Sequence, residues 1–103
     1  MKYPKGAIRT EEELRQAKRD KIPLYLVEWD DSDRPLRVKI TKFGREGGGK
    51  YRVHFKDEWG RTEDYWLFKE EAAVPEIDEK LWCFFFTNFW HAYAYWLKSR
   101  AKS

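Results

Sequence analysis

From residue 23 to residue 68, apolar and polar side chains alternate with a period of two, interrupted at intervals by turn residues. This pattern predicts a four-stranded antiparallel meander. The first strand covers 24 to 29 (Leu-Tyr-Leu-Val-Glu-Trp) and ends at the Asp-Asp-Ser-Asp-Arg-Pro turn of 30 to 35. The second sets Leu36, Val38 and Ile40 on one face and Arg37, Lys39 and Thr41 on the other. A glycine-rich turn, Gly44 to Gly49, leads into the third, where Tyr51, Val53 and Phe55 alternate with Arg52, His54 and Lys56. Asp57-Glu58-Trp59-Gly60 predicts a tight hairpin turn with Gly60 at positive φ, and the fourth strand spans 61 to 68.

The flanks change period. Thr10-Glu11-Glu12-Glu13 has the capping-box spacing, so a short helix is expected over 11 to 20, with acids in its first turn and bases in its last. Only Leu14 and Ala17 give it an apolar face, which places it on the surface. After 69 to 73, read as a brief helical turn, Pro75 opens a long helix with Glu76, Asp78 and Glu79 at its start and Lys98, Arg100 and Lys102 at its end. The uncharged stretch from Leu81 to Leu97 then puts its large side chains on an arc of about 180°, wider than one sheet contact requires. A helix of about 35 Å would also overhang strands of about 25 Å. The expectation is a homodimer through Trp90, Tyr93 and Trp96, with coverage by the N-terminal helix as the alternative within one chain.

These elements give an α+β fold in a single domain over 1 to 103: a short N-terminal helix, a four-stranded antiparallel sheet able to curl towards an SH3-like half-barrel, and a long aromatic C-terminal helix packed on it. A chain of 103 residues has room for one core and not two. The formal charge is +3, and the surplus sits in residues 1 to 21, where seven Lys and Arg face four Asp and Glu. That is a mild pointer to an acidic partner. One cysteine, Cys83, excludes an internal disulfide and fits a reducing, cytoplasmic setting. No secretory signal opens the sequence. The 81 to 97 stretch carries Thr87, Asn88, His91 and three Trp, too polar for a membrane anchor of such short length.

Three motifs fail on inspection. Gly44 to Lys50 has the glycine and lysine spacing of a phosphate-binding loop, but Tyr51 stands where a magnesium-binding hydroxyl belongs and a strand, not a helix, is expected to follow. Asp30, Asp31 and Asp33 cluster as in a calcium loop, yet counting from Asp31 puts Leu36 at the glycine position and Lys42 at the final glutamate. His54 and His91 stand 37 residues apart and form no zinc set with Cys83. No nucleophile and base come together at a convincing place, so no catalytic, metal or cofactor residues are expected and the chain reads as a non-enzyme.

The feature that remains is the outer face of the middle hairpin. Arg37, Lys39, Arg52, His54 and Lys56 should project the same way, with Trp59 at the adjoining turn, a surface suited to phosphates and stacked bases. Cross-strand pairing with Glu28, Glu63 or Asp64 would instead neutralise it. The run 24 to 29, the strand Val38-Lys-Ile-Thr-Lys, the hairpin Lys50-Tyr-Arg-Val-His-Phe and the ending Tyr65-Trp-Leu-Phe-Lys-Glu-Glu-Ala72 resemble small accessory proteins of phages and mobile elements of Gram-positive gut bacteria. That resemblance implies a compact non-enzymatic protein, and one known job of such proteins is blocking a host defence, as anti-CRISPR proteins do. The expected function is a binding protein that inhibits or modulates a nucleic-acid-handling complex, its partner a protein or a protein–nucleic-acid complex. The alternative is a small nucleic-acid-binding domain using the basic hairpin face. A third reading is a structural protein that assembles through its last helix.

Overall fold

A computed structural model describes residues 3–28, 34–46, 50–65 and 83–102. Among them lie two helices and five strands: α1 (Glu11–Arg19), β1 (Leu24–Glu28), β2 (Leu36–Glu46), β3 (Lys50–Asp57), β4 (Thr62–Tyr65), β5 (Cys83–Phe86) and α2 (Phe89–Lys102). The fold class is α+β, as the alternation implied. The strands form one antiparallel sheet in the order β4-β3-β2-β1-β5, so the four-strand meander gains a fifth strand on the free edge of β1.

Local chemistry accounts for the elements that the sequence predicted. The Thr10 hydroxyl accepts from the Glu13 amide at 3.3 Å and donates to the Glu13 carboxylate at 3.3 Å, which closes the start of α1. At the β3–β4 hairpin the Asp57 carbonyl accepts from Gly60 N at 3.1 Å and Asp57 N donates to the Arg61 carbonyl at 2.9 Å. Gly60 takes φ +84°, a conformation open to glycine without strain.

The long C-terminal helix is the main correction. Cys83–Phe86 is a strand and the helix begins only at Phe89; the predicted start at Pro75 and the turn at 69 to 73 lie outside the described residues, as does the acidic turn at 30 to 33. Asn88 fixes the boundary, because its Oδ1 accepts from the amides of Trp90 at 2.8 Å and His91 at 3.2 Å. A side-chain cap of this kind starts a helix and has no place inside one. The aromatic arc is therefore divided between a strand and a helix of 14 residues, about 21 Å long, and the overhang that called for a second copy is gone.

Side chains alternate across the sheet, and pairing register assigns them to faces. Leu24, Leu26, Val38, Ile40, Val53, Phe55, Cys83 and Phe85 share one face and are all buried. The rings of Phe55 on β3 and Phe85 on β5 meet edge to face at 5.8 Å although two strands separate them, so the sheet curls around this inner face. Helix α1 lies against β2 and adds Leu14 and Ala17 to the same core. On the outer face α2 covers Tyr25, Val27, Phe84 and Phe86, with Tyr95 seated between Phe84 at 5.5 Å and Phe86 at 5.8 Å. The outer edge of β5 is closed by the N-terminal segment, where Ala7 bridges Phe86 and Ile8 N donates to the Phe85 carbonyl at 2.8 Å.

The helix start at Asn88 gives a sign test. Asn88→Ala should lose about 1 kcal/mol and several degrees of melting temperature, with Asn88→Asp close to wild type. Were residue 88 inside a continuous helix, alanine would be the better residue there and the melting temperature would rise.

A basic half-sheet as the candidate binding site

Helix α2 is packed against β1 and β5, and among the described residues the outer face of β2, β3 and β4 carries polar side chains. Register brings the expected cations together on it. Arg37 pairs with Tyr25, Lys39 lies directly opposite Lys56, and His54 lies opposite Asp64. Arg37, Lys39 and Lys56 are exposed, whereas Arg52 and His54 are half-buried.

A β-bulge adds a residue that strict alternation misses. Ile40 pairs with Phe55 but Lys42 pairs with His54, so Thr41 is the extra residue, its hydroxyl donating to the His54 carbonyl at 3.2 Å. Beyond the bulge Phe43 is in register with Val53, and Lys42 joins the cations of the outer face. The sequence carries the mark of this shift: apolar positions step by two from Leu36 to Ile40 and then by three to Phe43.

The acids weighed as neutralisers separate by face. Asp64 is on the outer face and holds Arg52 at 2.8 Å. Glu28 and Glu63 are in register with Cys83 and Phe55 and so belong to the inner face. Among the described residues no carboxylate lies within ion-pair distance of Arg37, Lys39, Lys42 or Lys56. At one end of the patch Lys21, Arg37, Lys39 and Lys56 border an open recess of about 350 Å³, with Asp57 and Glu58 on its rim.

Trp59 stands at the hairpin tip beside this patch, 64% exposed, with the Arg61 guanidinium 5.0 Å from its ring centre. Asp57 holds the tip rigid by accepting from Trp59 N, Arg61 N and Arg61 Nε, each at 2.9 Å. Desolvation pushes the Asp57 carboxyl up, but the two amides and the Arg61 guanidinium outweigh it and hold the group below its ordinary value of 3.8.

The other expected residues have different settings. Trp90 on α2 is 71% exposed, while Tyr93 and Trp96 are half-buried. Cys83 is a buried core thiol, pushed far up by desolvation and by the charges of Glu28 and Glu63, the opposite of an activated nucleophile. Lys50 opens strand β3, so the Gly44 to Lys50 run joins strand to strand. Among the described residues no three His, Cys, Asp or Glu are grouped to hold a metal ion, and no helix is long and apolar enough to cross a membrane. No protein-family model, curated protein or solved structure matches the chain.

Two measurements test this description. Because the folded pKa of Asp57 is lowered, its contribution to stability is fully present above the unfolded value near 4 and is lost as pH falls through the depressed folded value. The melting-temperature gap between wild type and Asp57→Asn should therefore be constant from pH 5 to 7 and shrink below pH 4. Cys83 in the folded protein should resist thiol reagents at pH 8 and react at once in denaturant; fast labelling of the native state would contradict its burial.

Proposed function

We propose that the chain is a non-catalytic nucleic-acid-binding domain that uses the basic outer face of β2 and β3. The observation that carries this reading is the Lys39–Lys56 pair. Two like charges directly opposite on neighbouring strands slightly disfavour the sheet, and here Arg37 and Lys42 flank them with no carboxylate within ion-pair distance among the described residues. A run of phosphates supplies counter-charge to such a cluster at closely spaced points. Arg37, Lys39, Lys42 and Lys56 make the phosphate contacts, and Arg52 and His54 extend the surface towards β4.

The Arg52–Asp64 pair favours a second reading, because a surface of mixed sign also suits an acidic protein partner. In that case the domain docks on a protein of a nucleic-acid-handling complex and inhibits or modulates it, the work that the resemblance to phage accessory and anti-CRISPR proteins implies. A homodimer through Trp90, Tyr93 and Trp96 is compatible with either reading, since those residues are outside the basic face.

Replacing Arg37, Lys39, Lys42 and Lys56 with Ser should leave the melting temperature close to wild type and remove retention on heparin and on single- or double-stranded oligonucleotides. With single strands the salt dependence of log Kd should fall by about 2 to 3, near 0.7 for each phosphate that the variant no longer neutralises. Wild-type protein that ignores free DNA and RNA at low salt would exclude the first reading and leave the protein-directed one.

A further inference from the structure

Beside the basic face stands a row of aromatic rings, and its orientation can be worked out. Among the described residues of α2, Ala92, Tyr95 and Ser99 are the buried ones. At 100° per residue, Phe89, Tyr93, Trp96 and Arg100 fall about 100° to one side of that line, and His91 and Lys98 fall to the other. The His91 side faces the outer edge of β5: a Cβ on Gly6 would meet the His91 ring, with Cγ at 2.7 Å, and the next residue, Ala7, bridges Phe86. The aromatic side must then face across β1 towards β2. A separate contact agrees, since Phe89 meets Tyr25 of β1 edge-on at 5.4 Å, and Tyr25 is the cross-strand partner of Arg37.

The row is continuous. Phe89 stacks on Tyr93 at 5.9 Å, Tyr93 meets Trp96 tilted at 5.5 Å, and the Arg100 guanidinium lies 5.1 Å from the Trp96 ring. Trp90 falls nearly opposite the buried line, at the crest of the row and turned away from the sheet, steeply inclined to both Phe89 and Tyr93 and 71% exposed. Helix α2 has no acidic residue along its whole length. An aromatic wall thus rises from the edge of a cationic floor, with Tyr25 and Arg37 at their junction.

Resting on the nucleic-acid reading above, we infer that the ligand is single-stranded, its phosphates on Arg37, Lys39, Lys42 and Lys56 and its bases turned against the α2 wall, with Trp90 as the first stacking ring. The two surfaces complement the two chemical halves of a single strand, charged backbone and flat apolar bases. A duplex offers the same phosphates but keeps its bases stacked inside, out of reach of the wall.

The test compares a labelled twelve-residue oligothymidylate, an abasic oligomer of the same length and a twelve-base-pair duplex, read by fluorescence anisotropy at one salt concentration. Wild type should bind the oligothymidylate about tenfold or more tightly than the abasic oligomer. Trp90→Ala, at an exposed position that the core does not need, should erase that preference and keep the abasic affinity, and Trp90→Phe should restore most of it. Equal affinity for the two oligomers, or tighter binding of the duplex, overturns the stacking wall and leaves the cationic face standing. Failure to bind all three probes removes the nucleic-acid reading itself. A mass by light scattering of twice 12.6 kDa that Trp90→Ala returns to monomer assigns the wall to a second copy and also overturns the inference.

Discussion

Phe84, Phe85 and Phe86 are consecutive, and each is at most 1% exposed. Side chains on a strand point alternately to opposite faces, so three buried rings in a row require apolar cover on both sides of β5. Phe85 meets that requirement inside the curl of the sheet, against Phe55, and Phe84 and Phe86 meet it under Tyr95 of α2. The last helix must therefore lie over β1 and β5. Its 14 residues pack against these two strands, and on the remaining outer face Arg37, Lys39, Lys42 and Lys56 are exposed. Placement of the helix and exposure of the cations are two consequences of one constraint. Large rings bury on the order of 2 kcal/mol or more each, whereas an exposed lysine asks for no cover, so the aromatic strand decides where the helix goes.

The meander was legible because a half-buried antiparallel sheet writes its two faces directly into the sequence as alternation, and because Thr10 and Gly60 are residues whose backbone roles follow from local chemistry. The run around Cys83 to Phe86 is legible in neither way. A strand buried on both faces is uniformly apolar and shows no period, so its residues fit a helical arc as readily as a strand. The acids after Pro75 and the bases after Leu97 then frame it as one helix. The deciding signal was Thr87-Asn88, two residues that favour helix starts over helix interiors, lying inside an apolar stretch.

The basic face was legible as a set of residues and not as a surface. Alternation alone set Arg37, Lys39, Arg52, His54 and Lys56 on one side, but whether they were neutralised depended on register. Glu63 and Asp64 are neighbours in sequence with opposite fates: Glu63 is paired with Phe55 on the inner face, and Asp64 with His54 on the outer one. The bulge at Thr41 matters for the same reason. One extra residue moves Phe43 into register with Val53 and delivers Lys42 to the patch, a change of charge on a face caused by a backbone irregularity.

The cluster is cheap for the fold to keep, which is what a surface reserved for a polyanion, as proposed above, requires. Two exposed charges several ångströms apart repel by about 1 kcal/mol or less in water, and salt reduces this further, so opposing Lys39 to Lys56 costs the sheet little. Attraction to a polyanion is collective, because each neutralised phosphate releases condensed counterions and the contributions of all four cations accumulate in one binding event. On the proposed reading, the same charges are nearly silent in folding and strong in association. Their charge carries no information about which bases are bound, nor whether the ligand is one strand or two. On the proposed reading, discrimination comes from neighbouring surfaces of different chemistry, and the aromatic side of α2 is one, joined to the basic face where Tyr25 meets Arg37.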